Sequence, residues 1–221
     1  MKSLRAQLRD VISQEMVQDA AHDMGHLDRV WANARRIAKD EGNANLRVLM
    51  AAAYLHDLVN LPKDAPNRKD ASRLSAQKAE PILAQLGFSA DEIAATAHAI
   101  TAHSYSAGIP PESAEAEILR DADRLDALGA VGIARTFMVA GTMNRALADH
   151  NDPFAAQRPL DDQLWSIDHW HLKLLQLPQA MVTRKGRKIA RKRARLMLAY
   201  LEQLAKEMDC DLPEHWSNLL R

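Results

Sequence analysis

Apolar positions along the chain recur at three- and four-residue steps through most of its length, and the strand formers Val, Ile, Thr, Tyr, Phe and Trp are sparse. That periodicity predicts amphipathic helices. Breaks at Gly25, Gly42, Pro62, Pro66, Gly87, Gly108, Pro110, Pro111, Pro153, Pro159, Pro178 and Gly186 divide the chain into seven or eight helical segments. These are expected near 2–20, 24–40, 44–60, 70–86, 90–104, 113–146, 160–176 and 186–208. The fold class is all-α. No repeat or interdomain linker interrupts residues 1–221, so one domain is expected, with its main part at about 22–146 and C-terminal helices over 160–208 packing on it.

Three segments carry polar groups on their apolar stripes. In 44–60, Leu46, Met50 and Ala53 lead to Asp57, while Leu49 and Ala53 lead to His56. In 24–40, Val30, Asn33, Ala34 and Ile37 mark the inward face, with His26 at its upper end. In 113–146 the stripe runs Leu119, Asp123, Asp126, Ala130, Ile133, Phe137, and Asp121 falls off it, as expected of a cap or a solvated residue. A carboxylate aimed at a core costs several kcal/mol unless it is paired or ligates a metal. Separate buried networks would need several independent costs. One divalent ion, Mn, Fe, Ni, Co, Mg or Zn, satisfies two imidazoles and up to three carboxylates together.

Composition narrows the class further. The 221 residues include 29 Lys plus Arg against 29 Asp plus Glu, and 9 His. Zero net charge provides no global field toward nucleic acid or membrane. The single Cys210 excludes a disulfide framework and a Cys-rich zinc module. No segment approaches the roughly 18 uninterrupted apolar residues of a membrane span, and the first residues lack a signal-peptide core. A cytoplasmic protein with no membrane partner is expected.

The order His26, His56-Asp57, then an Asp within DADRLDALGAVGIAR resembles the HD superfamily of metal-dependent phosphohydrolases. DMGHLDRV, HDLVNLPKDAPNRKDAS, AHS and HWHLKLLQLP extend the likeness to nearly the whole chain, toward the bacterial YedJ/YpgQ-type members. The resemblance implies an all-helical HD fold, one divalent metal, and hydrolysis of a phosphate ester or anhydride of a small nucleotide. It assigns His26, His56 and Asp57 as metal ligands. The stripe admits both Asp123 and Asp126 as the fourth; the related phrase ADRL favours Asp123 and leaves Asp126 on the substrate side.

The chain has neither the acidic pair after HD found in guanosine tetraphosphate hydrolases nor the Glu of 5'-deoxynucleotidases. It also lacks the GYP tripeptide of the cyclic dinucleotide phosphodiesterases. Its nearest likeness suggests cleavage of a nucleoside triphosphate to monophosphate and pyrophosphate. Asp57 is the candidate to orient the attacking water or take its proton, beside a purely ligating role. Lys63 is the leading cation for substrate phosphate, with Arg68, His103 and Arg124 as further substrate contacts. Asp23 fits either a bond to the second nitrogen of His26 or a helix cap. His98 and His103 are candidates for a second metal, although five residues is a poor spacing for one helical face.

The run RKGRKIARKRAR, 184–195, has eight basic residues in twelve. Its plainer account is a solvated helix with Ile189, Leu196 and Met197 inward and its charge balanced elsewhere. The alternative is a nucleic-acid-binding or regulatory module in which the HD site is structural or vestigial.

Overall fold

The computed structural model describes residues 3–16, 23–61, 67–104 and 107–220. Among them are ten α-helices, two short 3-10 helices and no strand. The helices are α1 (Leu4–Glu15), α2 (Met24–Glu41), α3 (Leu46–Leu55), α4 (Ala71–Gln85), α5 (Ala90–His103), α6 (Ala114–Asp126), α7 (Gly129–Thr142), α8 (Asp168–Leu172), α9 (Arg184–Glu207) and α10 (Glu214–Asn218). The 3-10 helices are Arg68–Asp70 and Leu174–Gln176. No single helix among the described residues is long and apolar enough to cross a membrane. The chain falls into two compact units, residues 1–123 and 124–221.

In the first unit α3 is the central helix. It packs against α1, α2, α4 and α5. Its composition explains the position: Val48, Leu49, Ala51, Ala52, Ala53, Tyr54 and Leu55 are all buried, so it is apolar on nearly every side. Asn45 starts it by accepting the amide N–H groups of Arg47 and Val48. Helix α2 is capped by Asp23, whose Oδ1 accepts the His26 amide N–H at 2.7 Å, and it ends on Gly42 in the left-handed conformation, φ 80°. Its inward stripe Val30, Asn33, Ala34 and Ile37 is buried as the periodicity predicts. Asn33 Nδ2 donates to the Ala122 carbonyl at 3.2 Å, which ties α2 to α6. A capping box of Ser89 and Glu92 opens α5.

Four expectations are corrected. The described residues hold ten helices rather than seven or eight, partly because 113–146 is two helices. Gly129 adopts φ 76° at the break, a conformation that L side chains rarely take, so the stripe ends at Asp126. The segment 160–176 is mostly irregular, with helix only at 168–172 and 174–176. Local polar bonds outcompete helix there: buried Asp168 accepts the Asp161 amide at 2.7 Å and takes a two-pronged pair from Arg158, at 2.6 and 2.9 Å. Leu46, expected on an inward stripe, is 53% exposed. Asp121, expected to be a cap or solvated, is fully buried inside α6. Helix α10 has only five residues, too few for a periodic signal, yet it buries Trp216, whose Nε1 donates to the Phe154 carbonyl at 2.8 Å.

Candidate metal centre

The site lies wholly within the first unit and draws on α2, the turn after α3, the end of α5, and α6. Helix α3 stops at Leu55, while His56 keeps helical angles of φ −62° and ψ −29°. Its ring is fully buried, and Nδ1 lies 3.0 Å from the Ala53 carbonyl oxygen. Only an N–H can satisfy that carbonyl, so Nδ1 carries the proton and Nε2 presents its lone pair. That lone pair points toward carboxylates: Nε2 lies 3.2 Å from Asp57 Oδ2 and 3.8 Å from Asp123 Oδ1. His26 Nε2 lies 3.6 Å from Asp57 Oδ2 and 3.5 Å from Asp123 Oδ1.

His26, His56 and Asp123 each offer one donor atom, and these atoms lie within 4.8 Å of one another. His56, Asp57 and His103 form a second such group around the same imidazole. The two carboxylates are the accessible members, Asp57 at 22% and Asp123 at 30% side-chain exposure. The imidazoles form the dry floor.

Electrostatics supports the same placement. Burial drives the His56 pKa down, but the Asp57 carboxylate, with a smaller contribution from Asp123, outweighs it and leaves the pKa raised. Burial opposes ionisation of Asp57, yet His56 and His26 hold its carboxyl well below the usual range. His103 goes the other way, its pKa lowered by burial and by His56. A positive charge is therefore in demand between the rings and the carboxylates. His56 Nε2 is buried without a directed hydrogen bond. A proton or a divalent cation fills that role, and imidazole nitrogen with carboxylate oxygen is a donor set suited to the latter. The residues present fit a metal.

The structure brings together His26, His56, Asp57 and Asp123 and adds His103, whose Nε2 lies 3.8 Å from Asp57 Oδ1. His103 was expected among substrate contacts or, with His98, at a second metal; the structure places it instead beside His56 and Asp57, in the same cluster. The signal was present: Ala99 and Ile100, one turn earlier on α5, are fully buried, so the stripe test that found His56 also reaches His103. His98 is separate, its Nε2 accepting the Glu112 amide at 3.0 Å. Asp126 is 2% exposed and ion-paired with Arg135. Arg124 is buried and donates to the Ala180 carbonyl at 3.0 Å, and Arg68 donates to the Leu61 carbonyl. Asp23 is the α2 cap. Lys63 lies outside the described residues.

The HD domain family matches residues 24–128, a span that holds all five clustered side chains. A solved HD-superfamily hydrolase from Bacillus thuringiensis superposes with a TM-score of 0.69 at 30% identity, covering 93% of this chain and 94% of that one. A predicted HD-superfamily hydrolase from an uncultured Thermotogales bacterium gives 0.63 at 28% identity, with 92% of each chain covered. The chain belongs to the HD superfamily, whose members are metal-dependent phosphohydrolases.

Within that class it is similar to YpgQ of Bacillus subtilis, at 31% identity over 211 residues, which are 94% of this chain and 93% of that protein. The crystal structure of YpgQ in complex with ADP superposes with a TM-score of 0.72 at 32% identity, covering 92% of this chain and 97% of that one.

Proposed function

We propose that the protein hydrolyses a phosphoanhydride of a small nucleotide, cleaving a nucleoside triphosphate between its α and β phosphorus atoms. One water is consumed, and a nucleoside monophosphate and pyrophosphate are released. The observation that carries the reading is the convergence of three buried imidazoles and two part-exposed carboxylates in one cluster. YpgQ with bound ADP supports a nucleotide as the ligand class. The near-complete mutual coverage with such relatives supports residues 1–221 working as one HD-type domain.

His26, His56, Asp57 and Asp123 would hold one divalent ion. Such an ion, when bound, polarises a phosphoryl oxygen and lowers the pKa of water. Asp57 has a second task. Its partly exposed carboxylate can accept a hydrogen bond from the attacking water while its other oxygen faces His56, and a carboxyl held so firmly ionised orients water better than it removes a proton. His103 has Nδ1 at 2.5 Å from the Ile100 carbonyl, which leaves its Nε2 as an acceptor beside Asp57 for the same water or for a protonated phosphate oxygen. Lys63 is assigned to the substrate phosphates. Arg68, Arg124 and Asp126 already have protein partners, which leaves them without a part in holding substrate in this reading.

The test is a screen of ribo- and deoxyribonucleoside triphosphates and a generic phosphomonoester, with Mn, Co, Ni, Fe, Mg or Zn added singly, and products identified by phosphorus NMR. Monophosphate plus pyrophosphate is expected. Orthophosphate as the first product, or turnover of the monoester alone, overturns the choice of bond; no turnover with any metal overturns the activity.

A further inference from the structure

One row of cations on helix α9 carries charge that no ion pair among the described residues balances. Arg184, Arg187, Lys188, Arg191 and Arg195 line one shallow groove of about 370 Å³ in the second unit. No salt bridge involves any of the five among the described residues, and Arg187 alone has a bond, from Nη2 to the Met181 carbonyl at 2.7 Å. The sequence offered charge balance from acidic segments as the plain account of this run, and for these five side chains no such partner is found among the described residues.

Helix energetics opposes the arrangement twice. The first turn of α9 has no acidic residue and begins Arg184-Lys185, so cations sit at the positive end of the helix dipole. The pairs 184/188, 187/191 and 191/195 set like charges one turn apart, which destabilises a helix. The apolar face gains nothing from them, because Ala190, Ala194, Met197 and Leu201 are already fully buried. An external polyanion removes both penalties together.

We propose that this groove binds the phosphate backbone of a nucleic-acid duplex. The row from 184 to 195 spans about 16 Å of straight helix, and a duplex carries one charge per roughly 1.7 Å of its axis. Four of the five groups are guanidinium, the side chain suited to two-pronged phosphate contacts. The groove has no aromatic lining residue, as fits a ligand whose bases are already stacked away, and a single strand would want stacking platforms. It has no apolar lining residue either, which disfavours a protein partner; Leu196, expected inward, is 50% exposed but is not among the lining residues, so the groove itself offers nothing to insert into a bilayer.

Fluorescence anisotropy of the full chain with a labelled DNA duplex of about 20 base pairs and arbitrary sequence tests the assignment. Four or five neutralised phosphates give a slope of about −4 for log K against log salt. The combined substitution Arg184→Gln, Lys188→Gln, Arg191→Gln, Arg195→Gln is expected to weaken binding more than about tenfold at low salt and to flatten that slope. Its melting temperature should hold or rise, since like-charge repulsion is relieved. Asp57→Asn should bind the duplex as the unaltered chain does. No binding at low salt, unchanged binding by the Gln variant, a fall in its melting temperature, or binding to anionic phosphatidylserine vesicles but not to duplex would each overturn the proposal.

Discussion

Nε2 of His56 stands 3.2 Å from Oδ2 of Asp57, the residue that follows it in the chain. Consecutive residues of a continuing helix point about 100° apart and do not converge in this way. They meet here because α3 ends at Leu55 and the chain turns, with the Leu58 amide bonded to the Leu55 carbonyl at 3.3 Å. The Ala53 carbonyl then fixes the ring. The HD dipeptide is thus a helix-stop device that presents a lone pair and a carboxylate to one point.

A site of this kind binds metal only when folded, so metal stabilises the protein by mass action. With the ion at about 100 times its dissociation constant the gain is about 2.7 kcal/mol, or roughly 5–10 °C in melting temperature for a chain of this size. Calorimetry with Mn before and after chelation should show that drop, and Asp123→Ala should abolish the dependence on metal. A melting temperature indifferent to chelator would count against the centre.

Asp123 and Asp126 separate by what each variant loses. Asp123→Ala removes a 30%-exposed carboxylate from the cluster, so metal content measured by elemental analysis should fall to background while the fold persists. Asp126→Ala removes a buried ion-pair partner of Arg135 and should cost about 2–4 kcal/mol in urea unfolding, with metal content retained. Loss of metal in Asp126→Ala with full loading in Asp123→Ala would reverse the assignment.

The stripe test located His26 and His56 because both replace an apolar residue on a buried helical face, and helical periodicity is a property of sequence alone. Asp57 joins His26 and His56 by a route the stripe did not describe: Leu46, on its supposed stripe, is exposed, and the carboxylate reaches the cluster through the turn. Asp126 shares the stripe of Asp123 in sequence but meets Arg135 from α7, a contact fixed by the break at Gly129. The irregular stretch 160–167 was hidden because side-chain-to-backbone bonds, such as that from the Asp161 amide to Asp168, leave no periodic trace. Helix limits were legible where caps are chemical, as at Asp23 and Gly42, and illegible at α10, where five residues hold one buried Trp.

Asp28 sets part of the acid limit of stability. It accepts Tyr54 Oη at 2.6 Å and Arg5 Nη2 at 2.9 Å and pairs with Arg9. Burial would raise its pKa, but Arg9, Tyr54 and Arg5 outweigh burial and lower it to about 2. A carboxyl more acidic in the folded chain than in the unfolded one stabilises the fold above its ordinary value, near 3.8, and loses that contribution as pH falls toward 2. With solvent screening at a part-exposed site the contribution is about 1–2 kcal/mol. Asp28→Asn should lower the melting temperature at pH 7 and flatten its decline between about pH 4 and pH 2; a parallel curve displaced at every pH would show that the ion pairs do not set this limit.

Two glycines of α7 should respond in opposite directions to the same substitution. A Cβ on Gly132 would stand 2.2 Å from the Ala127 carbonyl oxygen and 2.4 Å from its carbon, and backbone cannot swing aside as a side chain can. Gly132→Ala must therefore push α7 away from the turn that follows α6, at a cost on the order of 2–4 kcal/mol. Gly141 has nothing within 4 Å of its Cβ position. Gly141→Ala removes unfolded-state entropy and improves helix propensity, a gain of about 0.5–1 kcal/mol. Urea denaturation of the two variants in parallel isolates the contact from general propensity, since both exchange glycine for alanine in one helix. If Gly132→Ala were neutral, the close packing of α7 on the Ala127 turn would be dispensable, and the stripe's interruption after Asp126 would rest on Gly129 alone.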